Sequence, residues 1–382
     1  MLSRMNTSTL PPTNNETDPP WNGNRTLKDV NDAMAMTLLP VMLYIGVLMI
    51  VGFVGNVMVV YVFIFKFRRG TQNFLITCLA VFDLISCVIA MPTEIVDVRY
   101  FYMFDSEFAC KLLTFVTTFC AMCSVFTLLG IAIDRYIKVC RPLTNQVKVK
   151  HVRIWIVIVV FVALGFSWPS LLIYGIRSAD TDEPHITGRD CSTADQMIGT
   201  HYPLIYNVVL VAGLLVTTTV LLVLYVFILK AIRIHRSHMK ARASFASDTV
   251  VSTIEMSNKG ISEPQYRLDS KNSFKTSERR NKTTVIAFLV TIVFVLSFLP
   301  HLALMCTRAI IKDFDHDLRG SSLVAFNIFI RSYFVNSVAN PIIYGVLNYK
   351  FREESVWLFR TVLCCRRRRV QITQEPSFTS FS

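Results

Sequence analysis

Asp83 is the one charged residue in the apolar stretch from Thr71 to Thr93. A carboxylate in such surroundings must meet a cation, a proton or several hydrogen-bond donors. Ser124, Asn336, Ser337 and Asn340 stand in other apolar stretches and could supply oxygens to a shared ion. Asp134-Arg135-Tyr136 follows a further apolar stretch, and Asp134 can hold the neighbouring guanidinium by a charge-assisted bond. Cys120 and Cys123 lie one helical turn apart among apolar residues and read as buried thiols. Patterns such as H-E-x-x-H, G-x-S-x-G or a phosphate-binding loop do not occur. The chemistry on offer is binding and switching, so we expect no enzyme.

These residues need elements to position them. The chain has 382 residues, 53% apolar and only 17% charged, where a soluble chain carries about 25% charged residues. Seven stretches are long enough to cross a bilayer: Leu38 to Phe65, Thr71 to Thr93, Leu112 to Ile133, Ile154 to Ile176, Tyr202 to Leu229, Thr283 to Thr307 and Gly320 to Tyr349. Inside lipid each must satisfy its own backbone, hence form a helix. The expected fold is an all-α membrane protein, a seven-transmembrane helix bundle over 37–348.

Of the 39 Lys and Arg, 28 fall on one side, in the segments that follow the first, third, fifth and seventh stretches, Lys66 to Arg69, Arg135 to Arg153, Lys230 to Lys282 and Lys350 to Arg369. That side is the cytoplasm by the positive-inside rule, which leaves the N-terminus outside. The net charge of +13 reads as topology and attraction to the lipid bilayer, with no nucleic acid as partner. Residues 1–36 read as a disordered extracellular tail with glycosylation sequons at Asn6, Asn15 and Asn24. Residues 231–281 read as a flexible cytoplasmic loop. Residues 349–365 read as a short amphipathic eighth helix on the inner leaflet, ending in Cys364 and Cys365 as palmitoylation sites. Residues 366–382 form a cytoplasmic tail.

Gly55-Asn56, Leu79-Ala80-Val81-Phe82-Asp83, Asp134-Arg135-Tyr136, Phe298-Leu299-Pro300 and Asn340-Pro341-Ile342-Ile343-Tyr344 occur in that order. The set resembles the rhodopsin-like (class A) G-protein-coupled receptors, closest in character to neuropeptide receptors. The resemblance implies a sodium ion held by Asp83, Ser124, Asn336 and Asn340, and no other cofactor. It implies a Cys110–Cys191 disulfide. It gives Asp134, Arg135, Tyr136, Tyr225, Phe298, Pro300, Asn340, Pro341 and Tyr344 roles in activation and G-protein coupling. Its partners are a heterotrimeric G protein, arrestin and receptor kinases at the plasma membrane. The chain departs from the family pattern at Phe298 and Thr217, which replace a Trp and a Pro, and at Glu278-Arg279-Arg280-Asn281-Lys282, which surrounds the usual place of an acid with base.

The ligand follows by exclusion. Amine receptors of this family place an Asp where Thr117 stands, and opsins need a Lys in the seventh span, which lacks one. Glu94, Asp97, His301, Arg308 and Arg331 join Thr117 as the pocket residues, and such charge suits an extracellular peptide. A lipid or other small-molecule ligand is the alternative. Outside the class, a transporter or channel would line its path with Asp83 and Arg331.

Overall fold

The computed structural model describes residues 25–67, 70–142, 144, 146–181, 183, 185–254, 264–310 and 318–363. The sequons at Asn6, Asn15 and Asn24, the Cys364–Cys365 pair, the tail at 366–382 and the side chains of Glu278 to Lys282 lie outside the described residues.

Six helices are long and apolar enough to cross a bilayer: Leu39–Phe65, Thr71–Arg99, Glu107–Cys140, Val149–Ile173, Tyr202–Ile234 and Thr283–Arg308. A seventh crossing is a bent pair, Gly320–Ile330 and Ser332–Leu347, at 44° to one another. We number these spans 1 to 7. Their cores pack in two principal layers. Leu75, Leu79, Leu128, Leu221, Tyr225, Phe294 and Tyr344 anchor the one around Asp134. Leu38, Ile45, Met91, Val116 and Phe334 anchor the other. Many outward side chains, such as Phe161 and Val216, stay exposed on the bundle, as lipid-facing residues should.

Several elements differ from expectation. Residues 1–36 are not all tail, because Leu27–Thr37 is a helix. Thr26 accepts from the Asp29 backbone and Asp29 returns the bond, which caps the helix start. Those bonds from Thr26 hold the Asp29 carboxyl below its usual range. The helices on either side of the third loop run on to Ile254 and resume at Pro264. The absence of an apolar run there excludes a span but not a helix, since Lys, Arg and Ala are good helix formers. Pro264 stands at the first position of the resumed helix, where its missing N–H costs nothing.

Span 2 contains a π-helical turn, Ser86–Ala90. Pro92 has no N–H for the Val88 carbonyl four residues back, and the wider turn takes up that mismatch. Span 4 ends at Ile173, because Tyr174 to Ile176 belong to a strand. This strand β1, Tyr174–Asp180, pairs antiparallel with β2, Thr187–Thr193, placing Ile176 opposite Cys191. Span 7 bends at Arg331, where the 3-10 turn Ser332–Phe334 intervenes, whereas the helix Val335–Leu347 runs through Pro341. Asn348 ends it and accepts from the Phe351 backbone, starting the last helix, Tyr349–Leu363. Phe351 is buried, and Lys66 lies 4.4 Å over Trp357, so this helix packs on span 1.

Candidate functional site

Polar residues gather at three depths. At the hairpin end Cys110 and Cys191 form a disulfide, with Cα atoms 5.4 Å apart. Gly188 of β2 lies so close to the chain after span 2 that a Cβ there would stand 2.8 Å from the Tyr102 carbonyl oxygen. Below, Arg331 Nε donates to Glu94 at 2.6 Å and Nη1 to Asn327 Oδ1 at 2.6 Å. Arg331 Nη2 reaches Asp97 at 3.5 Å. The guanidinium therefore binds spans 2 and 7 together at the bend of span 7. Three of the expected pocket residues thus meet, and they meet one another. His301 bonds the Ile330 carbonyl at 2.6 Å and sets its ring edge-on to Tyr333. Arg308 lies over Phe326.

Thr117 lines a cavity of about 20 Å³ with Ser86, Cys120, Ser124, Phe298, Tyr333, Asn336 and Ser337, room for one water or small ion. Phe298 packs against Phe294 and Tyr333 at the same level.

In the middle of the bundle Asn340 donates to Asp83 Oδ2 at 2.9 Å. Asp83 Oδ1, Asn336 Oδ1 and Asn340 Oδ1 are buried without a hydrogen-bond partner. Three orphaned oxygens, one of them on a carboxylate, are of the kind that a hard cation or ordered water satisfies. Ser124 and Asn336 line the cavity, while Asp83 is tied to Asn340 beside it. Asn56, which the sequence offers only as a motif partner of Gly55, has a definite task. Its Nδ2 donates to the Ser337 carbonyl at 2.7 Å. Pro341, four residues on, cannot make that bond, so Asn56 supplies the missing donor. Gly55 allows the approach, since a Cβ there would meet Pro341 at 2.7 Å.

At the opposite end Asp134 accepts three bonds: from Thr71 Oγ1 at 2.7 Å, Arg135 at 2.6 Å and Lys138 Nζ at 2.9 Å. Asp134 and Arg135 are both buried. Thr71 and Lys138 were not singled out in the sequence, although Lys138 stands at the i+4 spacing that brings helical neighbours together. Tyr136 packs edge-on to Phe227. Tyr225 packs on Phe288, and Tyr344 on Phe63 and Phe351. Pro300 sits inside span 6. Of the residues expected to serve activation, Phe298 thus lines the cavity, Asn340 meets Asp83, and Asp134 and Arg135 meet each other at this end.

The chain resembles known proteins along most of its length. The family described as "7 transmembrane receptor (rhodopsin family)" matches residues 55–344. Neuropeptide FF receptor 2 of Rattus norvegicus is 27% identical over 78% of this chain and 67% of its own. Neuropeptide Y receptor type 6 of Oryctolagus cuniculus is 26% identical over 86% and 83%. Melanopsin-A of Danio rerio is 24% identical over 89% and 53%. With seven crossings, the ordered motifs in place and this match from span 1 to span 7, the chain belongs to the rhodopsin family of seven-transmembrane receptors.

Proposed function

We propose that this receptor binds an extracellular neuropeptide and activates a heterotrimeric G protein from the plasma membrane. The hairpin end then faces outward and the Asp134 end faces the cytoplasm, as the distribution of Lys and Arg requires. The observation that carries the ligand class is the charge at the hairpin end. Glu94, Asp97 and Asp190 stand against Arg331 and Arg177 there. Peptides offer backbone and charged groups to such a surface, whereas a lipid tail does not. Relatives named for neuropeptides support the same class. The likeness to a melanopsin does not bring retinal chemistry, because span 7 has no Lys.

Sodium at Asp83 belongs to this reading, with the orphaned oxygens of Asn336 and Asn340 as its support. Arrestin and receptor kinases would act on the cytoplasmic tail. A peptide-library screen with calcium and cyclic-AMP readouts tests the ligand class. A peptide that stimulates cells carrying the receptor, and not parent cells, is the expected result. Stimulation by lipids or small molecules alone would transfer the receptor to the other class. Solute flux without nucleotide exchange would make it a transporter.

A further inference from the structure

Three pieces of chain meet at the hairpin end, and each touches the other two. The first is the helix Leu27–Thr37 with Arg25 and Thr26 that lead into it, the second the connection around Tyr102 after span 2, the third the β1–β2 hairpin. Asn31 joins the first to the second. Its Nδ2 donates to the Arg99 carbonyl at 3.2 Å, and its Oδ1 accepts from the Tyr102 backbone at 3.0 Å. An ion pair of Asp32 with Arg99 at 2.8 Å runs alongside. The second piece joins the third, since Phe104 N donates to the Arg189 carbonyl at 3.0 Å and Arg189 N to the Tyr102 carbonyl at 2.8 Å. Arg25 closes the circuit by pairing with Glu183 of the hairpin turn at 3.1 Å.

The joints are unequal. Asn31 is 1% exposed and grips two backbone groups at once, one of them a carbonyl at the end of span 2 that the helix cannot satisfy itself. Two bonds from one planar amide fix orientation as well as distance. The Arg25 side chain is 57% exposed, and an ion pair in water holds weakly. Position is therefore set by Asn31 and closure by Arg25–Glu183.

We propose that the Leu27–Thr37 helix is a fixed wall of the ligand mouth and that Asn31 is the residue that positions it. The inference rests on the reading of the hairpin end as the ligand side. Asp97 and Arg99 stand on different faces of their helix, and the wall approaches the Glu94–Asp97–Arg331 cluster through Met34, which packs in one apolar cluster with Val98 and Phe334. A ligand reaching Asp97 then passes on the side of spans 5 to 7, because the side of spans 1 and 2 is covered.

The test measures access without any ligand. Asp97→Cys is placed in a Cys306→Ala background, and intact cells are treated with the charged thiol reagent methanethiosulfonate ethyltrimethylammonium. Labelling rates are taken at matched surface levels. Adding Asn31→Ala should raise the rate about tenfold, the consequence of losing two hydrogen bonds of ordinary strength. Asn31→Asp keeps the acceptor for the Tyr102 N–H but opposes the Arg99 carbonyl, so it should fall between. Arg25→Glu should raise the rate about two- to fivefold, and adding Glu183→Arg should restore it. That restoration is a signature that general loosening of the fold would not give. If Asn31→Ala fails to reach the surface, the Arg25 and Glu183 variants decide alone. Labelling at the parent rate in every variant that reaches the surface would overturn the proposal. The reagent is no ligand, so that failure would leave the peptide reading standing, and failure to find a peptide would leave the labelling result standing.

Discussion

Asp134 is shared, and the sharing has a direction. Arg135 and Lys138 compete for its Oδ2, while Thr71 holds Oδ1. Removing Lys138 leaves the carboxylate to Arg135 and also removes a like charge. Lys138→Ala should therefore lower agonist-free GTP exchange, by about fivefold if the half-buried pair is worth about 1 kcal/mol. An unchanged or higher basal rate at matched surface levels would refute it. Arg331 is a second case. Its guanidinium serves two buried acids, so Arg331→Met leaves both uncompensated, a cost of about 3–5 kcal/mol. Surface expression should collapse, and Glu94→Gln in the same chain should recover part of it. No recovery would mean that Arg331 serves something other than this cluster. The charges of Glu94, Asp97 and Arg331 are plain in the sequence, Arg331 inside an apolar stretch and the two acids just past the end of another. Their pairing is not, because Glu94 and Arg331 are 237 positions apart and only the bend of span 7 brings them together.

The spans are the most legible elements, because lipid forces every apolar stretch of that length into a helix. The hairpin, the Leu27–Thr37 helix and the bend at Arg331 carry no such compulsion. Hairpin strands hold Gly, Asp and Arg without a clear alternation, and the first helix, although amphipathic, is only eleven residues long and follows a polar tail. The first helix still left a trace in Thr26 and Asp29, a capping pair three residues apart. Pro92 marked the π-helical turn, but a Pro alone does not say whether a helix bends, widens or ends. Gly55 was legible as a motif and gained its reason only from Pro341. At this scale the disulfide is the element most exposed to test. It closes a loop of 81 residues, worth about 4–5 kcal/mol in the chain-entropy model. Cys191→Ala should release the hairpin from span 3 and strip the cell surface of receptor. Full surface expression with both thiols free by mass mapping would contradict that account.

Across the molecule, spans 1, 2 and 7 are tied by Asn56–Ser337 and Asp83–Asn340, midway between the ligand end and the coupling end. An ion at Asp83 that prefers one packing of these spans must shift agonist affinity, since a ligand moves a two-state equilibrium only by its differential affinity. Raising sodium should weaken agonist binding, and Asp83→Asn should abolish that effect; persistence of the effect in the variant would place the ion elsewhere. The account as a whole holds that binding at the hairpin end changes Arg135 at the other. The direct measurement is nucleotide exchange on a heterotrimeric G protein in membranes carrying this chain, with peptide fractions applied, beside Arg135→Ala at the same surface level. The account predicts saturable, peptide-dependent exchange that Arg135→Ala abolishes. Peptide-dependent exchange that survives in Arg135→Ala, or no exchange with any peptide alongside solute flux that depends on Asp83 and Arg331, would contradict it.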